Sequence, residues 1–341
     1  MRRPGCATVS AMRAVQVTTL GGPGAVEVRE VPEPEAEGPF GPLVLVEVRA
    51  VGISFPDLLL SKGEYQLKPD PPFTLGVDFA GVVRTAPEGS GFAAGDRVAG
   101  CLPHGGAAEV VAVGPDSVFA LPDNLSFEQG AAIPMNYLTA QFALKERGQV
   151  REGETVLVHG AAGGVGTATL QVAKGYGART VAVVSSEQKG EVARRAGADE
   201  VVLADGFLAA VKDLTGGQGV DLVLDVVGGD LFTDSLRALA PQGRLLVVGF
   251  AGGGIPEVRV NRLLLNNIDI RGVGWGAYAM ARPGFMAAQW RELEPMMAAG
   301  VIDPPLSHEL GGATYGLADF GKALAEMEDR RTLGKTVVKV G

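Results

Sequence analysis

Residues 155–166 read Thr-Val-Leu-Val-His-Gly-Ala-Ala-Gly-Gly-Val-Gly. An apolar β-run, Thr155–His159, enters a glycine loop, and a helical pattern over Val165–Tyr176 follows. A dinucleotide fingerprint needs this order: a tight strand-to-helix turn, close backbone approach to a pyrophosphate, and a free helix N-terminus aimed at it. On the G-x-G-x-x-G template, Ala161 stands at the first glycine position, and Gly163 and Gly166 hold the other two. Gly163, Gly164, Val165 and Gly166 are therefore read as cofactor-binding. Five more Val/Leu-rich runs follow: Thr180–Ser185, Glu200–Leu203, Asp221–Val226, Arg244–Val248 and Ile268–Val273. Strands alternating with helices, apolar throughout, predict an α/β domain with a doubly wound parallel sheet covered on both faces.

The tip of the second strand discriminates between dinucleotides. An NAD site usually places Asp or Glu there, about 20 residues on, to bond the ribose hydroxyls. Here the tip is Val183-Val184-Ser185-Ser186, with Lys189 beyond. Two hydroxyls and an ammonium suit a 2′-phosphate that a carboxylate would repel. NADPH is the expected cofactor, held at this end by Ser185, Ser186 and Lys189. Gly249, Phe250 and Ala251 follow the fifth strand, and Val273 and Trp275 the sixth. Strand carboxyl ends are where ligands bind in open α/β sheets, so these residues are assigned to the nicotinamide end.

Upstream, the first ~130 residues read as β-rich. Short apolar runs at Ala14–Val17, Leu43–Val51 and Gly81–Arg84 are broken by Gly and Pro; 32–42 is a proline-rich loop and Asp57–Lys62 a short helix. The segments 95–98 and 107–113 are expected to pair around a loop. Residues 128–147 are helical in pattern apart from Pro134. At the far end, helical runs Met286–Ala299 and Leu317–Arg330 precede a strand, Thr336–Val340, able to return to the first region. Residues 1–11 read as a disordered extension. Across 341 residues the net charge is −9, with two Cys and three His. The charge argues against nucleic-acid and membrane-surface partners, and the two cysteines against a disulfide framework. No apolar run approaches the ~18–20 residues of a membrane span. A cytoplasmic enzyme with a small-molecule substrate is the expected class.

From Met12 to Gly341 the chain resembles the medium-chain dehydrogenase/reductase superfamily, in its zinc-independent quinone oxidoreductase (zeta-crystallin-like) branch. The resemblance rests on Gly52-Ile-Ser-Phe-Pro-Asp57 with Gly63-Glu-Tyr65, Leu75–Val83, Gly95-Asp-Arg-Val98, Asn136-Tyr-Leu-Thr-Ala140, Gly160–Gly166, Ala196-Gly-Ala-Asp199, Asp225-Val-Val-Gly-Gly229, Gly249-Phe-Ala251 and Gly334-Lys335. It implies a GroES-like catalytic domain built from 12–133 and 276–341, a Rossmann NADPH-binding domain over 134–275, and a site in the cleft between them. It also implies quinones or activated enones as hydride acceptors, and a homodimer, for which the run Val258–Leu265 offers a sheet extension.

By the same resemblance Asn136 and Thr139 lie beside the nicotinamide and Lys335 reaches the cofactor. Ser54, Tyr65, Asn136 and Tyr137 are the polar substrate-pocket candidates, with Phe55 and Trp275 as apolar walls; each tyrosine equally fits a buried packing role. Asp57 reads as a helix-starting residue rather than an acid. No side-chain acid or base is assigned. Where zinc-bearing relatives place ligands this chain has Ser54, Val77 and Asp78, and no His/Cys spacing fits a tetrahedral site, so no metal is expected. Two other readings stay open. One is an enoyl-thioester (acrylyl-CoA-like) reductase, whose anionic substrate needs a basic entrance such as Arg262, Arg271 and Arg282. The other is a non-catalytic, crystallin-like NADPH-binding protein.

Overall fold

The computed structural model describes residues 10–39 and 41–341. Two compact units result. One comprises the chain up to Ala132 with Ala313–Arg331 and Thr336–Gly341; the other comprises Ile133–Gly312 with Thr332–Lys335.

In the first unit the long strand Val44–Gly52 organises a seven-stranded sheet. Val44, Val46 and Val48 are buried while Leu45, Glu47 and Arg49 are less so, the period-two signature of one buried face. Its partners are Asp78–Thr85, Val110–Val113 and the closing strand Val337–Lys339, which pairs antiparallel with Val337 opposite Gly52. The chain terminus thus completes the β-rich region begun by the first residues. The segments around 95–98 and 107–113 do not pair with each other. Arg97–Cys101 pairs with Asp78–Thr85 and Val118–Ala120, whereas Val110–Val113 pairs with Val44–Glu47. The connecting loop is diverted by backbone bonds: Gly106 and Ala107 donate to the carbonyls of Gly76 and Leu75. Gly76 permits this with a positive φ of 97° and no Cβ, which would fall 2.1 Å from the Ala107 nitrogen. Of the expected extension, residues 1–9 lie outside the described residues. Ala11 is already in a strand, opposite Pro32.

The second unit carries β1 (Thr155–His159), α1 (Gly164–Gly175), β2 (Arg179–Val184), α2 (Glu187–Arg195), β3 (Glu200–Leu203), α3 (Phe207–Leu214), β4 (Val220–Asp225), α4 (Leu231–Ala238), β5 (Leu239–Val247) and β6 (Asp269–Gly272). The strand order is β3-β2-β1-β4-β5-β6, all neighbours parallel. That is the doubly wound Rossmann order, with its switch point between β1 and β4. Leu157, Val181, Val183 and Val223 on the sheet pack with Phe207, Phe232 and Leu236 from the helices. The unit runs on to Gly312, past the expected end at 275. The helix Phe285–Ala298 stays with it because Trp290, Leu293 and Met297 are fully buried and the helix packs on Pro134–Gln141. The run 258–265 forms a helix at Asn261–Asn266 rather than a strand; Asn267 ends it in the left-handed conformation. Among the described residues no helix is long and apolar enough to cross a membrane.

Candidate functional site

The glycine loop is held by close backbone contact. Gly160 turns at φ 63°, Gly163 donates its N–H to the Gly160 carbonyl at 3.0 Å, and Thr167 donates to Gly163 at 2.8 Å, starting α1. At Gly166 a Cβ would sit 2.2 Å from the Gly160 oxygen, so the third glycine of the template serves loop-to-helix packing. At Gly164 a Cβ would sit 2.6 Å from Asn136 Nδ2, which places the Asn136 amide against the start of α1. The segment Gly334-Lys335 closes the other side. Gly334 donates to the Ala162 carbonyl at 2.9 Å and bridges Gly163, and Lys335 beside it is buried. The structure thus brings together Asn136, Gly163, Gly164, Val165, Gly166 and Lys335, residues spread over two hundred positions of sequence. The first N–H groups of a helix lack intrahelical acceptors and carry its positive dipole end, which is what a pyrophosphate requires.

Helix phase separates the residues on Pro134–Gln141. Asn136 and Thr139, three apart, share a side of the helix. Tyr137 is turned into the core of the unit: it is 1% exposed and its hydroxyl donates to Gln171 Oε1 at 2.7 Å. Burial, reinforced by Asp303, drives its phenol pKa well above the ordinary value. Tyr137 is therefore a packing residue and not a pocket-lining one. Trp275 is likewise redirected. It begins the helix Trp275–Met280, is 4% exposed, and donates its indole N–H to Gln289 Oε1 at 2.8 Å; Gln289 in turn donates to the Leu138 carbonyl at 3.0 Å. Its bulk braces two helices instead of forming a pocket wall.

At the strand tips, Ser185 is exposed just beyond β2. Ser186 caps α2 by accepting from the Lys189 N–H at 3.4 Å, so its oxygen has a structural task while its proton can still be donated. Gly249, Phe250 and Ala251 follow β5, with Phe250 partly exposed, and Ala251 donates to the Val226 carbonyl at 3.0 Å. Val273 is tied to Val247 at 2.9 Å.

The first unit holds its own buried polar cluster. Asp57 accepts from the backbone N–H groups of Ser54 and Gly76, both at 2.9 Å, one on each carboxylate oxygen. It is a helix-starting residue, as its position suggests. Ser54 Oγ donates to Asp78 Oδ2 at 2.8 Å, and both residues are buried. Tyr65 is half-buried. Burial raises its phenol pKa, and the nearby Cys101 and Asp57 add to the shift, so it keeps its proton at neutral pH. Phe55 is 43% exposed.

Residues 42–123 match the alcohol dehydrogenase GroES-like domain and 164–298 the zinc-binding dehydrogenase domain. Rat quinone oxidoreductase-like protein 2 is 37% identical over 310 residues, covering 89% of this chain and 87% of its own. This chain belongs to the quinone oxidoreductase family of the medium-chain dehydrogenase/reductases. It is an oxidoreductase with the GroES-like and Rossmann-type units of that superfamily. A probable oxidoreductase from Mycobacterium abscessus superposes with a TM-score of 0.87 at 43% identity, over 97% of this chain and 99% of that one. The Escherichia coli quinone oxidoreductase, solved in complex with NADPH, superposes with a TM-score of 0.85 at 29% identity, over 96% of this chain and 99% of that one.

Set in this family, several other residues gain meaning. At the zinc-ligand positions of related dehydrogenases stand a serine and an aspartate bonded to each other, and an apolar Val77. Among the described residues no group of three or more His, Cys, Asp or Glu is placed to hold a metal ion. Two of the three arginines expected at a basic entrance are engaged elsewhere. Arg271 binds Asp269 at 2.6 Å and the Arg147 carbonyl at 2.8 Å, and Arg282 lies over the Tyr278 ring at 3.6 Å while donating to the Tyr278 carbonyl. Two buried residues escaped the site reading, His159 and Asp225. They end adjacent strands β1 and β4, one residue beyond the paired Val158 and Leu224, close enough for Asp225 to act on the imidazole electrostatically.

Proposed function

We propose that this oxidoreductase uses NADPH to reduce quinones or conjugated enones, without zinc, in a reducing cytosol. The observation that carries the reading is the cradle around the start of α1. Gly166 leaves no room for a side chain, the Asn136 amide lies against Gly164, and buried Lys335 is brought there by Gly334. The N–H groups of Gly164, Val165 and Gly166 would hold the pyrophosphate, Ser185, Ser186 and Lys189 the 2′-phosphate, and Asn136, Thr139, Gly249, Phe250, Ala251 and Val273 the nicotinamide end. Bound there, the dinucleotide supplies a hydride. The protein's own part is to orient the ring, exclude water and furnish polarity.

Of the polar candidates in the first unit, Tyr65 has a proton to offer an acceptor carbonyl. Tyr65, held protonated, can donate a hydrogen bond to an oxygen on which charge develops. Ser54 Oγ donates to Asp78 and accepts from the Asp57 backbone N–H, so it is occupied in starting its helix. A conjugated acceptor spreads the developing charge itself, which removes the need for a Lewis acid.

The test is NADPH oxidation with 1,4-benzoquinone, 9,10-phenanthrenequinone, a 2-alkenal and crotonyl-CoA. Turnover is expected with a quinone or the alkenal and not with crotonyl-CoA. The engaged Arg271 and Arg282 disfavour the thioester alternative. No turnover with any acceptor would return the protein to the non-catalytic reading. Stoichiometric zinc in the purified protein, measured by elemental analysis, would overturn the zinc-free part.

Ser185→Asp is expected to reverse the cofactor preference. An aspartate at an exposed strand tip repels a 2′-phosphate and accepts from ribose hydroxyls. The kcat/KM for NADPH should fall roughly 100-fold, about 2.7 kcal/mol, while that for NADH rises. Parallel losses for both would show that position 185 does not face the ribose.

A homodimer joined through this unit completes the proposal. β6 is an open sheet edge, and the neighbouring Leu264 and Leu265 are 77% and 74% exposed. Sedimentation equilibrium should give two chains for the native protein and one for Leu264→Asp/Leu265→Asp; a native monomer refutes it.

A further inference from the structure

The carboxylate of Asp225 sits where the two cofactor-facing loops of the second unit meet. Its Oδ1 accepts from the backbone N–H groups of Val227 at 2.8 Å and Gly228 at 2.9 Å, folding the chain back as it leaves β4. Gly228 and Gly229 take up the bend at φ 68° and 63°, in the left-handed region. From this turn hangs the loop that follows β5. Ala251 donates to the Val226 carbonyl at 3.0 Å, Gly252 to Val227 at 2.8 Å, and Gly229 to Gly254 at 3.1 Å. On its other side the turn meets the glycine loop: a Cβ on Gly160 would lie 2.8 Å from Val226 Cγ2. One buried carboxylate thus sets the spacing between Gly160 and Gly249–Ala251.

Its surroundings explain why this group is a carboxylate or an amide and not an alkyl side chain. Asp225 is 1% exposed and His159 is 0% exposed. Ser235 donates its only hydroxyl proton to the Leu231 carbonyl at 2.8 Å, so the 2.8 Å contact with His159 Nε2 has the imidazole as donor. That leaves Nδ1 as a bare acceptor. Among the described residues Nδ1 and Asp225 Oδ2 are both buried without a hydrogen-bond partner. Burial keeps the ring neutral, with its pKa lowered to about 4 against the raising influence of Asp225. Oδ2 makes no hydrogen bond among the described residues, so the turn depends on Oδ1 alone.

We propose that Asp225 is a positioning residue for the nicotinamide end of the site: it holds the Val226–Gly229 turn and, through it, the Gly249–Ala251 loop. The inference rests on the NADPH reading and extends it to a residue that does not touch the cofactor. Deleting the carboxylate strips a buried and a part-buried N–H of their acceptor and releases the loop. The adenine end, at the tip of β2, is built from other residues and is untouched.

The experiment measures binding of NADPH, and of adenosine 2′,5′-bisphosphate as the adenine-end fragment, to the full chain by calorimetry. Asp225→Ala is expected to weaken NADPH at least tenfold and the fragment less than twofold. Asp225→Asn is expected to stay within roughly threefold of wild type for both, since its oxygen still accepts from Val227 and Gly228. Equal weakening of both ligands by Asp225→Ala, or no weakening, overturns the proposal; so does an Asn variant as impaired as the Ala variant. Should Asp225→Ala fail to fold, Gly228→Ala strikes the same turn, since its Cβ would lie 2.9 Å from Phe250 Cδ1. It must show the same selective loss, and an unselective one refutes the role. Wild-type protein that binds no NADPH sinks the cofactor reading itself, an outcome distinct from unselective loss in the variants.

Discussion

Gly166→Ala is expected to weaken NADPH binding by at least 100-fold, roughly 2.7 kcal/mol or more, the largest loss of any single methyl group added to the second unit. The backbone conformation at 166 is not the obstacle. The obstacle is contact: the new Cβ would lie 2.2 Å from the Gly160 oxygen, 2.7 Å from Ala161 Cα and 2.9 Å from the Ala161 carbonyl carbon. All three are backbone atoms, so no side chain can swing aside. The loop must lift from α1, which costs about 1–3 kcal/mol of stability, as overpacking does. Gly160, in turn, is in contact range of Val226, so the displacement spreads to the turn that carries the Gly249–Ala251 loop. A fluorescence titration with NADPH checks the loss and calorimetry checks the fold, with Tm expected to fall by several degrees. The control is Gly163→Ala, whose Cβ would meet only the Gly160 oxygen, at 3.4 Å, and which should leave Tm unchanged. Wild-type affinity in Gly166→Ala would refute the cradle.

The contrast between these two glycines shows what is legible in the sequence. The template puts both in the fingerprint, and strand-loop-helix order is a local pattern that survives without any tertiary knowledge. That is why Thr155–His159 and Glu200–Leu203 are read to the residue and all six strands are found. Side-chain direction is a different matter. Asn136 and Tyr137 are neighbours in sequence, yet helix phase sends one to the glycine loop and the other to Gln171. A polar aromatic residue in a motif invites a functional reading, and only packing reveals that its hydroxyl is already paired. Trp275 fails in the same way, its indole N–H claimed by Gln289. Strand pairing in the first unit is lost for a topological reason: loop contacts with Leu75 and Gly76 send Val110–Val113 to the far side of Val44–Gly52. Ser54 with Asp78, and His159 with Asp225, are juxtaposed by sheet register between distant strands, which no periodicity encodes.

The most consequential residue of this kind for stability is Arg244, which carries no motif at all. Its guanidinium is nearly buried, at 8% exposure for the residue, under the amino ends of the central strands. Nη1 and Nη2 bind the two oxygens of Glu154 at 2.9 and 2.6 Å, Nε donates to the Gly148 carbonyl at 2.8 Å, and further bonds reach the carbonyls of Gln149 and Asp221 at 3.1 Å. It thereby pins the end of the π-helical turn Phe142–Arg147, where Gln149 sits at φ 50°, to β4 and β5. Arg244→Ala strips a partly buried carboxylate of its partner and three carbonyls of a donor. Breaking such a pair costs about 3–5 kcal/mol, a fall in Tm of roughly 10 °C for a unit of this size. Because the harm lies in the unpaired charge, Arg244→Met/Glu154→Met should recover part of the loss.

The pH dependence identifies the partner. Burial pushes the Glu154 carboxyl up, but hydrogen bonds from the Arg244 side chain and the Arg151 backbone outweigh it, and the folded-state pKa lies below the ordinary 4.5. A depressed pKa contributes stability that is present above the unfolded value and lost as pH falls through the folded one. Wild-type Tm should therefore decline as pH drops below about 4.5, with this pair as one source of the slope. In Arg244→Ala the decline should be shallower, because the carboxyl has lost the donor that lowered its pKa. Calorimetric scans between pH 6 and pH 3 measure both slopes, and identical slopes would show that Arg244 holds its carbonyls alone.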